Sequence, residues 1–141
     1  MPVDRRRYAH PAVLLAIALG GALGAIARYE LAQAVHVPKD GFPWATFWIN
    51  VSGAFVLGFF LTLVVERFPP SRFPRAFFAI GFLGAYTTLS TMAVETATLV
   101  KDGRAVLGVA YPCASIAAGL LVVYAGVVAA RALPLAERSR R

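Results

Sequence analysis

Residues Gly84 to Met92 read GAYTTLSTM, with hydroxyls on Thr87, Thr88, Ser90 and Thr91 and a phenol on Tyr86. Glu95 follows one helical turn beyond Thr91. Asn50 offers a carboxamide within TFWINVSGAFVLG, and Tyr111 and Ser115 stand four residues apart in YPCAS. Hydroxyls, an amide and a phenol donate hydrogen bonds without carrying charge. That suits an anion that must shed water and still leave again. No stripe of Lys or Arg lies beside them to trap such an ion, and no pair of carboxylates points to a proton-coupled pump. Enzymatic chemistry is not expected. His10 and His36 lie away from these segments, and no metal-ligating cluster or nucleophile–base pair is present. Cys113, the single cysteine, forms no intrachain disulfide and reads as a small packing residue.

The elements that must hold these groups are membrane spans. The 141 residues allow one domain, and at 59% hydrophobic and 15% charged they are far more apolar than a soluble domain needs. Four apolar blocks stand out: Ala12–Val35, Trp44–Val65, Ala76–Val100 and Ala105–Ala130. At about 1.5 Å per helical residue each crosses a hydrocarbon layer of roughly 30 Å. The expected fold is an all-α membrane protein of four transmembrane helices. Arg5–Arg7, the first apolar run and Ala25-Ile26-Ala27 have the outline of a signal peptide. Arg28 and Glu30 follow at once, however, and three more spans need packing partners, so the run is read as a span.

The formal charge of +7 lies mainly at the ends and in short Gly- and Pro-rich connections. Arg5, Arg6, Arg7, Arg67, Arg72, Arg75, Arg131, Arg138, Arg140 and Arg141 fall on one side, ten in all, against Lys39, Lys101 and Arg104 on the other. The positive-inside rule then places both termini in the cytoplasm. Tyr8, Trp44, Trp48 and Phe68 are candidates for interfacial belts. The basic residues form no aromatic-interleaved patch, so nucleic acid is not an expected partner.

Within the spans, Gly20 and Gly24 form a GxxxG contact surface. Arg28 is either an interfacial anchor that snorkels to water or the lining of a wet, anion-attracting vestibule. Thr46, Asn50 and Gly53 share one helical face, with Asn50 serving as interhelical glue or as a pore-lining donor. Gly81 and Gly84 precede two β-branched threonines whose hydroxyls can bond back to the i−4 carbonyl. A local break is expected there. Carbonyls freed at such a break are natural ligands for a hard cation such as Na⁺. Beyond it, Thr88, Thr91 and Glu95 line one face, and Leu89, Met92 and Thr96 a neighbouring one. Tyr111, Ser115 and Gly119 form a stripe in the fourth span, which Pro112 should kink. Four helices rich in small residues do not enclose a pore alone, so an oligomer is expected.

The third-span sequence GFLGAYTTLSTMAVE resembles the fluoride channels known as Fluc or CrcB, whose pattern runs approximately GF-x-G-G-x-TTFSTF-x-x-E. Asn50 to Gly53 and the first-span GALGAIARY are similar as well, and the four spans cover nearly the whole chain. The resemblance implies a passive fluoride channel of the bacterial or archaeal cytoplasmic membrane that lowers cytosolic fluoride. It implies an antiparallel dimer with two ion paths along the interface. A structural Na⁺ would sit at the dimer centre on the carbonyls of Gly84 and Thr87. Asn50 corresponds to the pore-lining asparagine, and Ser90, Thr91 and Glu95 to the polar residues beyond the break. Tyr111 and Ser115 correspond to the fourth-helix polar track, which here stops at Gly119, and Arg28 to the vestibule arginine.

Two departures qualify this expectation. Leu89 and Met92 stand where the family pattern has phenylalanines, whose positive ring edges can face an anion. The ten-to-three charge bias also fixes one orientation, whereas chains that insert both ways should be nearly balanced. The expected assembly is therefore a homodimer or, with this bias, one half of a heterodimer with an oppositely oriented homologue that keeps the rings. Competing readings are a non-conducting partner subunit and a small multidrug-type exporter. The absence of a carboxylate in Ala12–Ala27 counts against the exporter.

Overall fold

Chain entry into the first helix is set by His10 and Pro11. The His10 Nδ1 accepts the Ala12 N–H at 3.3 Å, and Pro11 takes the first helical position, where no N–H is needed. The computed structural model describes residues 10–35, 41–67 and 71–133. Tyr8, Phe68, His36 and the basic residues at 5–7, 39, 138, 140 and 141 lie outside these, as does the Arg67 side chain. Among the described residues all regular structure is helical.

Helix α1 covers Pro11–Ala34 and α2 covers Trp44–Arg67. The third span, Arg72–Lys101, is composite. It opens with a single turn, α3 (Arg72–Pro74), and continues as a π-helical segment over Arg75–Leu83. One more turn, α4 (Gly84–Tyr86), leads to a break at Thr87 and Thr88, and α5 (Leu89–Lys101) completes the crossing. Gly103, with φ at +77°, makes the tight turn into α6 (Ala105–Ala132). Four stretches are thus long and apolar enough to cross a membrane.

The helices pack as two pairs. α1 lies against the π-helical segment and α4, while α2 lies along α6, with α5 also on α6. Small residues permit both approaches. A side chain on Gly20 or Gly24 would overlap the carbonyls of Phe77 and Phe82. One on Gly58 or Gly126 would overlap the carbonyls of Val123 and Phe55. The large aliphatic side chains point the other way: Leu15, Leu23, Val106, Leu120 and Leu121 are all more than half exposed. Small residues inside and leucines outside is the arrangement expected where lipid is the solvent.

The π-helical segment has a side-chain consequence. With more than four residues to a turn, positions i and i+4 come close to eclipsing. Phe78 stacks on Phe82 at 5.2 Å and Phe82 on Tyr86 at 5.9 Å, and Phe60 of α2 extends the ladder at 4.5 Å from Phe78. The ladder ends beside the break.

Candidate functional site

The break begins where Thr87 leaves the helical region, with ψ at 156°, and Thr88 follows with φ −148° and ψ 118°. Thr87 still bonds backwards: its N–H and its hydroxyl both donate to the Leu83 carbonyl, at 3.0 and 2.9 Å. This is the i−4 back-bonding that the paired threonines led us to expect. Thr88 faces the other way and caps α5, its Oγ1 accepting the Thr91 N–H at 3.1 Å. The same hydroxyl donates to Thr91 Oγ1 at 2.9 Å, so the Ser90 hydroxyl, 3.2 Å away, donates to it.

Asn50 closes the gap from α2. Its Nδ2 donates to the Thr88 carbonyl at 3.0 Å, and its Oδ1 accepts the Thr88 N–H at 2.8 Å. The carboxamide replaces a backbone partner at a depth where water cannot. Gly53, one turn along, makes room for the Thr87 methyl. The shared face of Thr46, Asn50 and Gly53 is therefore turned on the broken span along its length. On the opposite side of the break, Tyr86 lies 2.8 Å from Ser52 Oγ. Ser52 spends its own hydrogen on the Trp48 carbonyl at 2.6 Å, which makes Tyr86 the donor.

These bonds decide what the backbone leaves free. In a continuous helix the Thr88 N–H would go to the Gly84 carbonyl and the Thr91 N–H to the Thr87 carbonyl. Both donors are taken by side chains instead. No side chain within 4 Å would obstruct a Cβ on Gly84, so its position opens outward from this chain.

A groove of about 240 Å³ runs along the break between α2, α5 and α6. Its walls are Asn50, Thr87, Thr88, Leu89, Met92, Ser115, Ile116 and Gly119. Four of the expected path residues (Asn50, Leu89, Met92 and Ser115) meet there. The groove is short of free donors. Thr87 and Thr88 bond as above, and Ser115 donates to the Tyr111 carbonyl at 2.8 Å. Asn50 keeps a second amide hydrogen for a guest. Leu89 and Met92 are not equivalent: Leu89 is 73% exposed, whereas Met92, 7% exposed, packs with Tyr111 and Leu99.

One turn further along all three helices lies a second polar cluster. Glu95 accepts from Thr46 Oγ1 at 2.8 Å and from Tyr111 Oη at 2.7 Å, tying α5 to α2 and α6. Glu95 and Tyr111 thus meet each other rather than the groove wall, and Thr46 is the partner that the sequence left without a role. Its signal was the i−4 spacing from Asn50. Ser90 and Thr91 are exposed on α5, and Arg28 is half-buried on α1, which contributes nothing to the groove wall. Among the described residues no group of His, Cys, Asp and Glu can hold a metal ion through side chains. At the far end, Arg131 grips Glu66 with Nη2 to Oε1 at 2.6 Å, joining α6 to α2.

Four apolar crossings with a side-chain-stapled break at mid-depth define a multi-pass helical membrane protein. The chain belongs to the family described as CrcB-like protein, Camphor Resistance (CrcB), whose model matches residues 15–127. It is 44% identical over 128 residues to the fluoride-specific ion channel FluC 3 of Streptomyces avermitilis, covering 91% of this chain and 62% of that protein, so it spans less than two thirds of that relative. It is 43% identical to FluC 1 of Streptomyces coelicolor, covering 84% of this chain and 77% of that one. With FluC of Chlorobium luteolum the identity is 39%, over 86% of this chain and 95% of the relative.

Proposed function

We propose that this chain is a passive fluoride channel subunit, not an enzyme, and that it lowers cytosolic fluoride across a cytoplasmic membrane. The carrying observation is the groove at the break, whose polar wall residues are uncharged and which Asn50 and Thr88 build together. Such a wall binds an anion weakly enough to release it. The names borne by the relatives agree, all being fluoride-specific ion channels.

The working unit we propose is an antiparallel dimer. Ser90 and Thr91 are exposed polar groups beside the exposed Leu89, at a depth where lipid would leave them unsolvated. A second chain over Gly84 and this face removes that cost. It also places the carbonyls of Gly84 and Thr87 opposite those of its partner. Oxygen donors freed from helical bonds fit a hard cation such as Na⁺, which would add a fixed positive charge at the dimer centre.

The partner we favour is an oppositely oriented homologue. The ten-to-three bias of basic residues sets one orientation for this chain, with both termini cytoplasmic. Leu89 extends from the chain without a ring to offer an anion, so the rings must come from across the interface. Streptomyces avermitilis has two of the relatives, FluC 2 and FluC 3.

The test is fluoride efflux from liposomes, followed with a fluoride electrode, for the lone chain and for the chain reconstituted with such a homologue. Efflux from the pair that Asn50→Asp abolishes is expected. Absence of efflux in both preparations overturns the channel reading. Robust efflux from the lone chain overturns the obligate heterodimer.

A further inference from the structure

Three helices lead outward from the groove in step. On α6 the series is Gly119, Ser115, Tyr111; on α5 it is Met92, then Glu95; on α2 it is Asn50, then Thr46. The next position in the α2 series is Phe42, four residues before Thr46, in the short segment that precedes the helix. Phe42 sits edge-to-face with Tyr111, ring centroids 5.2 Å apart at 84°. It also packs beside Phe47 and Leu107 on the cluster formed by Met92, Leu99 and Tyr111. Pro43 is buried behind it, and Trp44 lies 4.6 Å away.

Two of the polar residues at this level are buried. Tyr111 has no exposed surface, although its hydroxyl belongs to the polar cluster with Glu95. Thr46 is 4% exposed. A tyrosine and a threonine, their hydroxyls both bonded to one carboxylate, are thus buried at the level where the Phe42 ring packs on Tyr111. Polar side chains line the way up to this level, and aromatic carbon covers it. An apolar constriction above a polar track is a known way to stop water and ions without a charged barrier.

We infer that Phe42 seals the outer end of the polar track, its ring over Tyr111 keeping water from the hydroxyls of Tyr111 and Thr46 on that side of the half-buried Glu95. The seal rests on the channel reading only for its effect on flux. Its effect on water access stands without it. Phe42 is in this sense a positioning residue, acting through Tyr111.

The experiment uses the full chain in detergent and in liposomes, with Phe42→Ala and the milder Phe42→Leu. Hydroxyl-radical labelling read by mass spectrometry reports water at Tyr111, with the 71% exposed Tyr124 as internal reference. Labelling of Tyr111, which has no exposed surface in the native chain, is expected to rise relative to Tyr124 in Phe42→Ala and by less in Phe42→Leu. Fluoride efflux should rise, or its preference over chloride should fall, in the same order. Tyr111 labelling unchanged from the native chain in both variants overturns the seal. Increased labelling with unaltered flux and selectivity also overturns it as a barrier and leaves Phe42 a packing residue. If the native chain carries no fluoride alone or with a homologue, the channel reading fails, and the labelling result still decides whether Phe42 closes the track.

Discussion

The carboxamide of Asn50 is bonded at both ends to the backbone of one residue, Thr88, donating to its carbonyl at 3.0 Å and accepting its N–H at 2.8 Å. Asp in this position can accept but cannot donate, and it sets a carboxylate oxygen against the Thr88 carbonyl. Ala satisfies neither group. Leaving one buried backbone group unpaired costs about 1–3 kcal/mol. Asn50→Ala should therefore lower stability by at least about that much, read from thermal unfolding in detergent, and Asn50→Asp should abolish fluoride efflux. Unchanged efflux in Asn50→Asp would remove Asn50 from the path.

Glu95 holds Thr46 and Tyr111 through charge-assisted hydrogen bonds, each worth about 1.5–3 kcal/mol. Tyr111→Phe should cost stability in that range. In a Glu95→Gln background the same change should cost only about 0.5–1.5 kcal/mol, since the bond it removes is then neutral. A double-mutant cycle measures the difference. Equal costs in the two backgrounds would mean that the pair is not coupled.

Glycines separate intrachain packing from assembly. Gly24→Ala drives a methyl into the Phe82 carbonyl and should destabilise the chain by about 1–3 kcal/mol. Gly84→Ala meets nothing in its own chain and should leave the thermal stability of the isolated subunit intact. Cross-linking of the pair should nevertheless weaken in Gly84→Leu, because in the proposed dimer that position faces the partner. A Gly84→Leu variant that assembles as well as the native chain would place the dimer contact elsewhere.

The two positions that lack rings should respond differently to gaining one. Leu89 is exposed, so Leu89→Phe adds a ring with little intrachain strain and should increase fluoride efflux of the chain reconstituted with its homologue. Met92 is packed beneath Tyr111, so Met92→Phe overfills that space at a cost of about 1–3 kcal/mol. Melting curves and efflux on the same preparations separate these effects.

Much of the architecture was legible from apolar length and from Gly and Pro placement. The break was legible too, because Gly84 and two β-branched threonines oppose helix continuity locally. The π-helical segment was not. RAFFAIGFL has no local signal for a wider turn, and the Phe60 rung and the approach of Gly20 and Gly24 that accompany it are tertiary. The pairing of Asn50 with the Thr88 peptide was half legible: a lone amide in lipid demands a partner, but the partner is backbone, which no residue pattern marks. Thr46 and Phe42 escaped for a related reason. Each acts by lying against one side chain on another helix, and their shared i−4 spacing gains meaning only when α2 is seen to track α5 and α6.

The broken third span also has a mechanical side. A bilayer that thickens or thins loads a crossing helix along its axis, and an unbroken helix carries that load in its own ladder of backbone bonds. Here the ladder is interrupted at Thr88, and hydrogen bonds from Tyr86, the Thr88 backbone and Glu95 tie the two halves sideways to α2. A change in acyl-chain length would therefore load these three side-chain links, one of which, Asn50, also shapes the groove.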